Sequence, residues 1–77
     1  MSITIYTTPT CSYCNAVKAF FSQHKISYDE KDVTTDIAAQ KEMIEKSGQM
    51  GVPVIDVQGS IVVGFDQPRL RELLKLS

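Results

Sequence analysis

The chain has 77 residues, a net charge of −1 and only two cysteines, so it has room for a single domain, residues 1–77, that buries only about 60% of the surface its unfolded chain exposes. A near-neutral charge without a basic stripe excludes the electrostatic footprint of a nucleic-acid binder. No apolar run approaches the ~20 residues of a bilayer span, and Met1-Ser2-Ile3-Thr4 lacks the charged and apolar regions of a signal peptide, so a cytoplasmic, membrane-free monomer is expected.

Ile3 to Thr7 alternates and is β-branched, which predicts a strand. Thr8-Pro9-Thr10 predicts a turn. From Cys11 the apolar spacing becomes helical, with Cys14, Val17, Phe20, Phe21 and His24 at three- and four-residue steps. Alternation returns over Ile26 to Val33, with Ile26 and Tyr28 on one face. Thr34-Thr35-Asp36 offers an N-cap for a second helix, which runs to about Lys46 and stops at Gly48. Ile37, Met43 and Ile44 form its expected apolar side.

Pro53 to Val57 and Ser60 to Val63 read as two short strands joined by a tight Gln58-Gly59 hairpin. Gly64 ends the second of them. Asp66 caps a last helix with Pro68 in its first turn and Leu70, Leu73 and Leu74 as its stripe. The order β-α-β-α-β-β-α predicts an α/β fold. It has a parallel first crossover, an antiparallel hairpin, and a four-stranded mixed sheet with helices on both faces.

Chemistry is concentrated in Cys11-Ser12-Tyr13-Cys14. As a staple the pair is poor, because a disulfide closing so short a loop constrains the unfolded state by only about 2 kcal/mol. Cytosolic thiols are kept reduced, which favours a transient, catalytic disulfide. The start of a helix presents free N–H groups and the positive end of the macrodipole, and both favour a thiolate. Cys11, at the cap or first position, is therefore the expected attacking sulfur. Cys14 lies one turn deeper, on the face of Val17, and is the expected resolving sulfur.

Other uses of the pair fit less well. A structural zinc site needs four ligands, and no second cysteine pair exists. His24, the only histidine, falls at the helix boundary as a core residue. A soft-metal carrier with its cysteine pair after the first strand would place a Met two residues before Cys11, where Pro9 stands, and would end in a strand rather than the Leu70–Leu74 helix.

The run Ile5-Tyr6-Thr7-Thr8-Pro9-Thr10-Cys11-Ser12-Tyr13-Cys14, the segment Gly51-Val52-Pro53-Val54-Ile55 and the turn Val63-Gly64-Phe65-Asp66 together resemble the glutaredoxin family, over nearly the whole chain. The resemblance implies a thioredoxin-like fold and thiol–disulfide oxidoreductase activity. It implies a cis bond before Pro53, facing the cysteines. It also implies a substrate or glutathione site made by Tyr13, Val52, Pro53, Gly64, Phe65 and Asp66, beside the active-site loop of Thr8, Pro9, Thr10 and Ser12.

The Val52 backbone is then open to an extended substrate in strand-addition style. Gln40 and Lys41 are further candidates for a substrate carboxylate, against the simpler reading of a solvated helix face. No tightly bound cofactor or metal is implied, and glutathione enters as a co-substrate.

Several positions depart from the family pattern. Ser12 replaces a proline, a change found in glutaredoxins that hold a bridging 2Fe–2S cluster with glutathione. Thr8 stands where a Lys or Arg often binds a glutathione carboxylate. Val63 and Gln67 replace a Gly and an Asp. The run Gly64-Phe65-Asp66-Gln67-Pro68 resembles the corresponding turn of NrdH-redoxins, glutaredoxin-shaped proteins reduced by thioredoxin reductase. The expected partners are disulfide-bearing proteins, with electrons from either glutathione or thioredoxin reductase.

Overall fold

The computed structural model describes residues 2–76, in the order β1 (Ile3–Thr7), α1 (Ser12–Gln23), β2 (Asp29–Asp32), α2 (Ile37–Ser47), β3 (Val54–Val57), β4 (Ser60–Val63) and α3 (Gln67–Leu73). The strands form one sheet in the order β2-β1-β3-β4. β1 pairs parallel with β2 and antiparallel with β3, and β3 pairs antiparallel with β4. β1 is central, so both of its faces are covered, and Ile3, Ile5, Tyr6 and Thr7 are all buried.

Alternation along the strands divides the core in two. Ile3, Ile5, Ile55, Val57 and Val62 face α1 and α3, where they meet Val17, Phe20, Phe21 and Leu70. Tyr6 and Val54 face α2 and meet Ala39 and Met43, with Val33 closing that cluster. This is the thioredoxin-like arrangement, three helices on a four-stranded mixed sheet.

Local signals set most boundaries. Asp36 caps α2 by accepting from the Ala39 N–H at 3.0 Å, and Gly48 closes it at φ +73°. Asp66 caps α3 through the Arg69 N–H, with Pro68 in the first turn. The β3–β4 turn places both Gln58 and Gly59 at positive φ, the requirement of the tight hairpin turn that matches strand twist. Asp56 supports it by accepting from the Gly59 N–H at 2.7 Å.

Two expectations shift. The strand anticipated over Ile26 to Val33 is regular only from Asp29 to Asp32, because Ile26 and Tyr28 use their alternation to pack on the α1 core from an irregular connection. Ile37, expected on the apolar side of α2, is 69% exposed, and Ala39 with Met43 forms the buried side instead. One turn into the helix, the face towards the sheet is chosen by Ala39 and Met43, four residues apart, and Ile37 lies off it.

Candidate active site

Cys11 is the N-cap residue of α1, with extended backbone at φ −89° and ψ 110°. Its own N–H donates to the Thr8 carbonyl at 3.3 Å, which ties the Thr8-Pro9-Thr10 turn to the helix start. Its Sγ accepts the Cys14 N–H at 3.0 Å, the position an N-cap oxygen usually fills. Here the orphan donor of the first turn serves a sulfur. Cys11 and Cys14 are joined as a disulfide, with Cα atoms 5.2 Å apart.

The two sulfurs differ in environment. Cys11 is half-buried, whereas Cys14 is fully buried on the helix face that carries Val17 and Phe21. In the reduced protein the same N–H donor and helix terminus favour the Cys11 thiolate. Cys14 meets none of these aids and is sealed from external thiols.

The opposite wall comes from the sheet. Strand pairing ends with Tyr6 opposite Val54 and Val54 opposite Val63. One residue beyond lie Pro53 and Gly64, joined by a 2.8 Å bond from the Gly64 N–H to the Pro53 carbonyl. The Val52–Pro53 peptide bond is cis. Gly64 takes φ +77°, which only glycine adopts freely, and turns the chain from β4 towards α3. The cysteine turn at the end of β1 and the Val52–Pro53 and Gly64 segments thus gather at one end of the sheet.

The remaining expected residues divide. Tyr13 is 69% exposed, so it is not packing in the loop and stands free beside Cys11. Pro9, Thr10 and Ser12 are exposed on the loop and first helical turn, and Thr8 is half-buried. Val52 is half-buried. Phe65 turns its ring into the core, 5.9 Å from that of Phe20. Asp66 is exposed and uses a carboxylate oxygen as the α3 cap. Gln40 and Lys41 lie on α2, half-buried and exposed respectively.

Sequence reasoning missed a polar cluster beneath the cysteine helix. The buried Thr7 hydroxyl donates to Glu30 at 2.9 Å, and Lys18 reaches the same oxygen at 2.9 Å. The Lys18 ammonium, then the Thr7 hydroxyl, hold the Glu30 carboxyl below its usual range. Lys18 lies four residues after Cys14, the one hint the sequence offered. His24 caps the end of α1 with its ring 4.6 Å from that of Phe20, as a boundary core residue.

Comparison with known proteins gives a consistent picture. A family profile described as Glutaredoxin matches residues 3–62. An uncharacterized glutaredoxin-like 8.6 kDa protein in the rubredoxin operon of Clostridium pasteurianum is 37% identical over 73 residues, 95% of this chain and 97% of that protein. The glutaredoxin-like protein NrdH of Lactococcus lactis subsp. lactis (strain IL1403) is 36% identical over 78 residues, 97% of this chain and 99% of its own. Among solved structures, the thioredoxin-like protein BC3987 superposes with a TM-score of 0.88 at 32% identity, covering 94% of this chain and 99% of that one.

Proposed function

This chain belongs to the glutaredoxin family, a thiol–disulfide oxidoreductase family, and we propose that it is a dithiol electron carrier for protein disulfides, reduced by a thioredoxin reductase. The observation that carries the dithiol reading is the asymmetry of the pair: Cys11 half-buried at the helix cap with its sulfur held by a backbone N–H, Cys14 fully buried one turn below.

The reaction runs in two displacements. The Cys11 thiolate attacks one sulfur of a substrate disulfide, forming a mixed disulfide and releasing the other substrate sulfur as a thiolate. The Cys14 thiol then passes its proton to the substrate thiolate just released and attacks the Cys11 sulfur. The second substrate thiolate leaves, and the Cys11–Cys14 disulfide carries the two-electron oxidation. An external reductant returns two electrons and two protons to restore the dithiol. Pairing of the substrate backbone with Val52 would hold the attacked sulfur in line with Cys11, and Tyr13 would flank it.

Two features support thioredoxin reductase over glutathione as electron source. Thr8 offers no cation where a glutathione carboxylate would bind, and the Gly64–Pro68 turn keeps an NrdH-like pattern. The similarity to a protein named NrdH, over essentially its whole length, points the same way. Such a carrier would work in a reducing cytoplasm.

The oxidised protein can be given NADPH with thioredoxin reductase, or NADPH with glutathione and glutathione reductase. Faster NADPH consumption by the first system is expected, and faster consumption by the second would overturn the choice of donor. Cys11→Ser abolishes disulfide reduction, whereas Cys14→Ser accumulates a mixed disulfide visible by mass spectrometry. An active Cys11→Ser protein would sink the mechanism.

A further inference from the structure

The segment between α2 and Pro53 has no regular structure, yet its backbone is tightly held. The Ser47 hydroxyl donates to the Met43 carbonyl at 2.7 Å and receives the Gln49 N–H at 3.4 Å. Gln49 then folds its side-chain amide onto Gly51. Its Nε2 donates to the Gly51 carbonyl at 3.0 Å, and its Oε1 accepts the Gly51 N–H. One side chain thus occupies both backbone groups of one residue, as a neighbouring strand would.

The consequence falls on the next residues. Pro53 has no N–H, and its carbonyl is taken by the Gly64 N–H. Val52 makes no backbone hydrogen bond among the described residues. Between Gly51 and Pro53, the Val52 N–H and C=O are therefore the only backbone pair left for an incoming strand. Gly51 itself belongs to this device. A Cβ there would meet Gln49 Oε1 at 2.7 Å, and its backbone φ lies outside the region that favours glycine. A side chain at position 51 would therefore have to displace the Gln49 amide.

We propose that Gln49 is a positioning residue for disulfide exchange: by occupying the Gly51 backbone it leaves Val52 as the single pairing point and sets one register for an extended peptide disulfide against Cys11. The inference rests on the strand-addition reading given above. It predicts a dependence on substrate backbone that a small disulfide lacks, because only a peptide can pair with Val52.

The test is single-turnover oxidation of pre-reduced protein, with no external reductant present. A disulfide-closed ten-residue peptide is compared with bis(2-hydroxyethyl) disulfide. In Gln49→Ala the half-saturating peptide concentration should rise about five-fold, the worth of one hydrogen bond. The ratio of second-order rate constants, peptide over small disulfide, should fall by the same factor. Gln49→Glu, which keeps the acceptor for the Gly51 N–H, should recover part of the loss. Gly51→Ala should reproduce Gln49→Ala by displacing the amide, and should add less than about two-fold in the Gln49→Ala background, as expected of two changes acting on one contact.

Equal losses on both disulfides would show Gln49 to be merely structural, and additive effects of the two substitutions would overturn the proposal. A wild-type protein with no preference for the peptide over the small disulfide would instead overturn the strand-addition reading beneath it, and one that oxidises with neither would overturn the oxidoreductase reading.

Discussion

On the α1–α3 face, Ile3, Ile5, Val17, Phe20, Phe21, Ile55, Val57, Val62 and Leu70 form a continuous apolar layer. On the α2 face, the buried cluster is only Tyr6, Val33, Ala39, Met43 and Val54, and a charged rim finishes it. The Tyr6 hydroxyl donates to Glu42, Lys31 and Lys46 pair with Glu42 at 3.3 and 3.5 Å, and Lys46 pairs with Asp56 at 2.6 Å. The helix that carries the cysteines is therefore anchored by packing, which has little dependence on pH. The opposite helix is anchored partly by protonation states. The reactive site sits on the face supported mainly by packing, with the Thr7, Glu30 and Lys18 cluster at its edge.

Large-to-small substitutions give the widest contrast between the faces. Phe21→Ala removes a fully buried ring from the α1 layer and should cost about 3–5 kcal/mol in urea unfolding. That is a large share of the 5–15 kcal/mol typical of a domain, so disulfide exchange should fall with the folded fraction. Met43→Ala removes the central α2 contact and should cost less, roughly 2–3 kcal/mol, in the lower part of the range for such changes. A Met43→Ala variant less stable than Phe21→Ala would reverse the ranking of the two cores.

The charged rim should show itself in alkali. Burial, then the Glu42 partner, pushes the Tyr6 phenol from 10.0 up to about 12. Its folded-state value is raised, so its contribution is complete below about pH 10 and is lost as pH climbs through about 12. Lys46 is also raised, first by its bond to Asp56, and weakens in the same direction. Tyr6→Phe should cost about 1 kcal/mol at neutral pH and should flatten the alkaline fall in stability, followed by denaturant titration between pH 9 and roughly pH 12. An unchanged slope would remove the phenol from the account.

Much of this was legible in the chain. The β1 run, the helix start at Cys11, the caps at Asp36 and Asp66, and the hairpin at Gln58-Gly59 are local signals, each fixed by a few neighbouring residues. The place of Cys11 at the helix start and of Cys14 on the apolar face followed from spacing, and the structure makes Cys11 the cap itself. What stayed hidden depends on distant partners. Nothing near Tyr6 announces Glu42, thirty-six residues away, and Glu30 gains meaning only when the sheet puts it beside Thr7 and Lys18. Ile37 misled because periodicity marks a stripe without saying where along the helix the sheet begins. Gln49 reads as a loop residue until its amide is seen on Gly51.

The smallest expected effect tests whether charge matters on the cysteine face at all. Lys18 and Glu30 are 2.9 Å apart, but their side chains are 29% and 40% exposed, so solvent and salt screen the pair. Lys18→Met should therefore cost no more than about 0.5 kcal/mol, and the difference should vanish in ~1 M salt. Glu30→Leu removes more than the ion pair, because the Thr7 hydroxyl is buried and loses its acceptor. That orphan should raise the cost to about 1–3 kcal/mol, with little salt dependence. The two substitutions thus separate Coulomb attraction from hydrogen-bond satisfaction under one helix. A Lys18→Met cost matching that of Met43→Ala would make the α1 face an electrostatic support as well, and the division of labour between the faces would fall.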